Sequence, residues 1–202
     1  MTEFAQSLAD GAVPDGVPRL LKTVTMVGMM GAGKTAVGKA LAARLHVPFL
    51  DSDAEIESAA NMSIPEIFSR DGEPFFRKKE SQVIRRLLEG KPGVLSTGGG
   101  AFLSEDNRAV ISEKGVSVCL SADLDVLWNR VKHRDTRPLL KTANPRQTLA
   151  DLLAVRGPVY ALADLVVPSE SQIPIDVMVG RVIAALATRP DVLIFDNDKT
   201  DG

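Results

Sequence analysis

The chain is poor in the residues that staple small secreted or metal-bound folds. Its 202 residues include one cysteine, Cys119, so no intramolecular disulfide can form. Set in the apolar stretch Val116-Ser117-Val118-Cys119-Leu120, it reads as a small buried hydrophobe. The two histidines, His46 and His133, stand far apart with no second His or Cys beside either, which gives no zinc-ligand spacing. Long apolar runs are missing as well. The longest uncharged stretch, Pro92 to Ser104, has thirteen residues and is interrupted by Gly98, Gly99 and Gly100, short of the roughly 18 that a membrane span needs. There is no basic excess: 24 Lys plus Arg against 26 Asp plus Glu leave a net charge of -2, a poor footprint for a general nucleic-acid binder. Residues 1–18 carry Glu3, Asp10 and Asp15 but no Lys or Arg, the opposite of a basic secretory n-region or an Arg-rich transit peptide, which argues for the cytoplasm.

What is present is an ordinary globular composition, 45% apolar and 25% charged, at a length that suits one domain with an added segment or lid. Residues 1–18, with Gly11, Pro14, Gly16 and Pro18, read as a flexible leader. Residues 189–202 read as an acidic tail with one apolar patch, Val192-Leu193-Ile194-Phe195, that can dock back on the body. With the leader at -3 and the tail at -2, the domain between residues 19 and 188 is mildly basic at +3. Within it, short apolar runs alternate with helical stretches, the pattern of an α/β protein with a mostly parallel sheet, and no internal repeat appears. Strands are expected at Thr23–Val27, Pro48–Asp51, Gly93–Ser96, Val116–Leu120 and Leu165–Val167. Helices are expected from about Gly33, Ala54, Ile64, Pro74, Ser104, Asp123, Pro145 and Pro174, the third opened by the capping box Ser63-Ile64-Pro65-Glu66.

The sharpest local signal is Gly28-Met29-Met30-Gly31-Ala32-Gly33-Lys34-Thr35, a complete G-x-x-x-x-G-K-[ST] loop between a β-rich run and the helical pattern Val37, Leu41, Leu45. Its glycines let successive N–H groups turn toward phosphate oxygens, and the following helix adds its positive N-terminal end. Lys34 would hold the β- and γ-phosphates, and the Thr35 hydroxyl would ligate Mg²⁺, which prefers oxygen donors. GTPases, motor ATPases and small-molecule kinases all use such a loop. Guanine specificity needs Asn-Lys-x-Asp, and Asn197-Asp198-Lys199-Thr200-Asp201 has one residue too many. The chain is also short for a motor, so a kinase fits best.

The second substrate is read from charge. Asp51 and Asp53 alternate at the C-terminal end of a strand expected beside the P-loop strand, where α/β sheets place their ligands. One carboxylate can reach a metal's water shell and the other an acceptor hydroxyl, while Asp53 can equally cap the helix that starts at Ala54. Arg77 opens a helix after Phe75 and Phe76 and can also be read as a solvated charge, as can Lys78 and Lys79. Gly98-Gly99-Gly100 follows another strand, where bare backbone lets a flat ring pack close and receive N–H bonds. Arg130, Lys132, Arg134, Arg137 and Lys141 form the one dense basic cluster, suited to a loop that closes an arginine over a transferring phosphoryl group. Arg156 can face the same cleft, since guanidinium forks suit carboxylates. Trp128 shares helical spacing with Leu124 and Val131 and reads as core.

The ordered set Gly28–Thr35, Asp51-Ser52-Asp53, Gly72-Glu73-Pro74-Phe75-Phe76-Arg77, Gly98–Gly100, Arg137-Pro138-Leu139-Leu140 and Arg156-Gly157-Pro158-Val159-Tyr160 resembles the shikimate kinases over roughly residues 21–187. The resemblance implies a P-loop fold of the nucleoside monophosphate kinase type. That fold is a five-stranded parallel sheet flanked by helices, with a substrate-binding helical segment near residues 53–80 and a mobile lid near 133–145. It implies ATP and Mg²⁺ as cofactors and phosphorylation of the 3-hydroxyl of shikimate, a step toward chorismate and the aromatic amino acids. It also implies a monomer, with no nucleic-acid or membrane partner. Carried over residue by residue, Gly31, Ala32, Gly33, Lys34, Thr35 and Ala36 cradle the nucleotide phosphates, and Thr35 and Asp51 serve the metal with Ser96 near them. Asp53 binds substrate hydroxyls and is the candidate base; Arg77 and Arg156 grip the carboxylate, with Glu80 orienting Arg77. Gly98, Gly99 and Gly100 lie against the substrate. Arg137 is the lid arginine over ATP, Arg130 lies near adenine, and Gln172 or Ser171 contacts the base. The loop continues Thr35-Ala36 where the family usually has Ser-Thr, which keeps the metal hydroxyl. Two rivals are a gluconate kinase on the same fold and a non-catalytic nucleotide-binding module that regulates a partner.

Overall fold

The computed structural model describes residues 17–133 and 138–196. Its strands are β1 (Val17–Leu20), β2 (Thr23–Val27), β3 (Phe49–Asp51), β4 (Val94–Ser96), β5 (Gly115–Ser121), β6 (Leu165–Pro168) and β7 (Leu193–Asp196). The helices are α1 (Lys34–Arg44), α2 (Ser52–Ala60), α3 (Ile64–Leu88), α4 (Glu105–Lys114), α5 (Leu124–Val131), α6 (Pro145–Tyr160) and α7 (Ile175–Ala187), with short 3₁₀ turns at Ala101–Leu103 and Pro138–Leu140. Strands β2 to β6 form one parallel sheet in the order β3-β4-β2-β5-β6. Central β2 is buried at all five residues and β5 at its first six, as parallel strands covered on both faces require. Helices α1 and α7 pack together, as do α3 and α4. No helix among the described residues is long and apolar enough to cross a membrane.

Three sequence expectations need correction. The sequence places β3 directly beside β2, whereas β4 lies between them, with Asp51 opposite Ser96 and Ser96 opposite Met26. Burial explains the order: Val94, Leu95 and Ser96 are almost wholly covered, while Phe49-Leu50-Asp51 is half-buried and suits the edge. The helix after β3 starts at Ser52 rather than Ala54, and its cap is Asp51, not Asp53. Asp51 Oδ1 accepts the N–H groups of Asp53 at 3.0 Å and Ala54 at 3.3 Å, from the extended backbone that an N-cap needs. Finally, the packed body runs past residue 188. Strands β1 and β7 pair antiparallel into a separate two-stranded ribbon, and Val192 and Leu193 are buried in the main core. The apolar patch therefore docks on the body, and β1, with which it pairs, takes in the last two residues of the leader, Val17 and Pro18.

The helical stretch Ile64–Leu88 is two helices end to end, as the sequence indicates. Gly72, at φ 81° and ψ 169°, breaks the regular turn, and Pro74 follows where the second segment begins. At the first segment's start, Glu66 accepts the Ser63 N–H at 2.8 Å and completes the capping box. Ile56, Ile67 and Phe76 form a small hydrophobic cluster of their own, against which Phe68 packs, its ring tilted on that of Phe76 at 4.7 Å between centroids. This second cluster holds α2 and α3 together above the C-terminal ends of β3 and β4, and so fixes where Asp53 and Arg77 stand. Trp128 packs on the main core, and Cys119 is buried there, its thiol pushed up to about 11 by burial.

Candidate active site

The P-loop joins β2 to α1. Gly31 and Gly33 adopt φ of 84° and 101°, the left-handed region that a side chain would resist, and Gly33 caps α1 with no side chain placed over the first N–H groups of the helix. Ala36 is exposed on that first turn. Lys34 Nζ donates to the carbonyls of Gly28 at 2.8 Å and Met29 at 3.2 Å, which holds the ammonium over its own loop. The Thr35 and Ser96 hydroxyls lie 3.4 Å apart. Ser96 pairs across the sheet with Asp51, so these two stand at the ends of neighbouring strands, with Thr35 of α1 beside Ser96. Arg130 on α5 pins the loop from outside. Its Nη1 donates to the carbonyls of Gly31 at 3.3 Å and Ala32 at 3.2 Å and to Ser169 Oγ at 3.0 Å, and its Nη2 to the Glu170 carbonyl at 2.8 Å. Burial lowers its pKa below the ordinary value. Gln172 and Ser171 are exposed just beyond this clamp, Gln172 at a left-handed φ of 63°.

The acceptor side is built from α2, α3 and the glycine turn after β4. Arg77 donates from Nη1 to Glu80 Oε2 at 2.8 Å, and from Nε and Nη2 to Glu73 Oε1 at 3.1 and 3.0 Å, with Phe76 beneath its guanidinium at 5.1 Å. Burial opposes its charge, but Glu80 and Glu73 together raise its pKa. Glu80 is 1% exposed. One of its carboxylate oxygens, Oε1, has no partner, and the same is true of Asp53 Oδ1. Burial raises both pKa values: at Asp53 the nearby Asp51 adds to the rise while Lys34 and Arg77 oppose it, and at Glu80 Arg77 opposes it.

The glycine turn also stands against the protein's own side chains. A β-carbon at Gly98 would lie 2.9 Å from Asp53 Oδ1 and 3.3 Å from Glu80 Oε1, and one at Gly100 would lie 2.5 Å from Arg77 Nη1. These glycines make room for the enzyme's own charged groups. Arg156 on α6 lies beside the phenol of Tyr160, whose hydroxyl donates to the Gly99 carbonyl. The structure thus gathers Lys34, Thr35, Asp51 and Ser96 on one side and Asp53, Arg77, Glu80, Gly98–Gly100 and Arg156 on the other, while Arg137 and the start of the lid lie outside the described residues. Sequence reasoning assigned no role to Ser169, Glu170, Glu73 or Tyr160. The signal for Glu73 was its i,i+4 spacing to Arg77, whereas the others meet their partners only through tertiary structure.

Comparison with known proteins agrees with this geometry. A family model described as shikimate kinase matches residues 30–187. A shikimate kinase of Ruegeria pomeroyi is 71% identical over 181 residues, covering 90% of this chain and 93% of its own length. This chain belongs to the shikimate kinase family. Two solved shikimate kinases superpose on it. That of Acinetobacter baumannii, in complex with shikimate, is 38% identical with a TM-score of 0.74 over 83% of this chain and 93% of its own. That of Bacteroides thetaiotaomicron is 32% identical with a TM-score of 0.76 over 82% and 98%.

As a shikimate kinase, the enzyme uses ATP and Mg²⁺, and its residues suit both. The N-terminal end of α1 and the left-handed glycines form a cradle for phosphate oxygens. Among the described residues no cluster of three or more His, Cys, Asp or Glu could hold a metal. A pair of hydroxyls backed by one aspartate is nonetheless the donor set for Mg²⁺ that keeps waters and binds through nucleotide phosphates. The two unpartnered carboxylate oxygens face Gly98, where a polyhydroxylated acceptor would supply the missing donors.

Proposed function

We propose that the enzyme transfers the γ-phosphoryl group of ATP to the 3-hydroxyl of shikimate, giving shikimate 3-phosphate and ADP on the route to the aromatic amino acids. The observation that carries this reading is the position of Asp53. Its buried carboxyl has an unpartnered oxygen and feels both Lys34, on the phosphate side, and Arg77, on the acceptor side. A carboxylate at that junction can take the proton of the hydroxyl as its oxygen bonds to phosphorus and the bridge to the β-phosphate breaks, leaving ADP. Its raised pKa makes it a better base than an ordinary carboxylate. Lys34 holds the phosphates, and Thr35, Asp51 and Ser96 are the residues that would hold Mg²⁺, which would neutralise charge on the phosphate oxygens.

Arg77 and Arg156 orient the acceptor by its carboxylate; Glu80 and Glu73 keep the Arg77 fork aimed, so little rotamer freedom is lost on binding. Gly98–Gly100 line the acceptor, Arg130 and Gln172 flank the nucleotide, and Arg137 closes over the phosphates with the lid. The enzyme acts as a cytoplasmic monomer with no nucleic-acid or membrane partner, consistent with its net charge of -2. The test is ADP release from Mg-ATP with shikimate, gluconate or quinate as acceptor. Release with shikimate alone is expected. Phosphorylation of gluconate instead, or ATP-dependent thermal stabilisation without turnover, would overturn the reading in favour of a gluconate kinase or a regulatory module.

A further inference from the structure

We infer that Tyr160, the chain's single tyrosine, is a positioning residue that fixes Arg156 and the Gly98–Gly100 turn relative to each other through its hydroxyl. The inference rests on the acceptor reading above. Tyr160 is the last residue of α6 and is 4% exposed within the main core. The ring alone would be served by Phe. The hydroxyl is what differs, and a buried hydroxyl must find partners. It donates to the Gly99 carbonyl, in the middle of the glycine turn, and it feels the charge of Arg156, which stands one helical turn earlier on the same face of α6.

The phenol thus donates to the turn and presents its oxygen to the helix. Its single proton points at Gly99, which leaves its lone pairs to the guanidinium. Burial raises its pKa, opposed by the charges of Arg156 and Arg77, so the hydroxyl keeps its proton at neutral pH and the polarity of the relay does not reverse. Arg77 occupies the space above Gly100 and Asp53 that above Gly98, so the turn that Tyr160 tethers also carries the groups facing the acceptor. Arg156 has a long, rotamer-rich side chain, and helix α6 meets the turn at this point. Without the hydroxyl, the guanidinium loses the polar oxygen beside it, and the turn and the helix lose their common reference. The cost falls on acceptor binding and leaves the nucleotide cradle, built from β2, α1 and α5, unchanged.

The experiment is steady-state kinetics of wild type, Y160F, R156A and the double variant with shikimate and Mg-ATP, with thermal melting to confirm that each folds. Loss of one buried hydrogen bond predicts a rise of about tenfold in KM for shikimate in Y160F, with KM for ATP within about twofold and kcat within about threefold. In the R156A background the same substitution should add less than about threefold, because the group it positions is gone. An unchanged KM for shikimate in Y160F, a parallel rise in both KM values, or an equal loss with and without Arg156 overturns the inference. A wild type that releases no ADP with shikimate removes the functional reading and this inference together. An active wild type with an unaltered Y160F removes the inference alone.

Discussion

Replacing Asp53 with Asn should abolish turnover while making the protein more stable. The carboxyl is an acid held where its charge is opposed: burial disfavours it first and Asp51 second, with Lys34 and Arg77 returning part of the loss. Its Oδ1 is buried without a hydrogen bond, a defect worth about 1–3 kcal/mol. Asn keeps the shape, removes the charge and offers an amide that can donate toward Glu80 Oε1, the other unpartnered oxygen beside Gly98. A net gain of about 1 kcal/mol corresponds to a Tm higher by about 2–4 °C for a chain of this length. The pH dependence has a definite sign. The native pKa of Asp53 lies above the ordinary 3.8, so the native state holds that proton more tightly than the unfolded chain does. The contribution of Asp53 to stability is complete below the unfolded value and is lost as pH rises through the native one. The advantage of D53N should be widest at neutral to alkaline pH and should close toward about pH 4. Thermal melting of both proteins across pH, beside an ADP-release assay, measures each part. A variant that melts at or below wild type at alkaline pH would show that the carboxylate stabilises the fold, and would refute the argument from burial.

Two other substitutions probe separate contacts. Gly100→Ala drives a methyl into the Arg77 guanidinium, 2.5 Å from Nη1; KM for shikimate should rise by about tenfold or more while KM for ATP stays within about twofold, and an unchanged shikimate KM would mean that Arg77 can relocate freely. Leu193→Ala opens a cavity beneath the terminal ribbon at a residue 2% exposed and should lower stability by about 2–4 kcal/mol with kcat unchanged. A loss below about 0.5 kcal/mol in denaturant unfolding would mean that the ribbon is peripheral to the fold.

The parts of the site that read well from sequence are those whose chemistry is local in the chain. The loop Gly28–Thr35 carries its own backbone logic, the capping box at Ser63–Glu66 satisfies neighbours in sequence, and Pro74 marks the second helix because its ring suits a first turn. What escaped depends on tertiary competition. Asp51 rather than Asp53 caps α2, and the choice turns on one extended backbone position at the end of β3. The insertion of β4 between β2 and β3 is decided by which strand can be covered on both faces, a property of the finished sheet. The glycine triplet was legible as a place of close approach, but not that Asp53, Glu80 and Arg77 come up against it, because they reach it only through tertiary structure. Tyr160 finds Gly99 across sixty-one positions of chain, and no spacing rule spans that distance.

In the β1–β7 ladder Val17 stands opposite Asp196, the first and last of the residues described, and Leu21 bonds to Val192 where β1 runs on toward β2. The backbone is in this sense almost a ring, closed at one seam. The seam joins the sheet at the N-terminal end of β2, with the strand's length, about 17 Å for five residues, between it and the P-loop. A carrier domain or surface tether attached through residue 17 or residue 196 starts from the same small area, at the end of the sheet away from the P-loop. Two cargoes, one at each end, would be brought side by side without standing over the substrates.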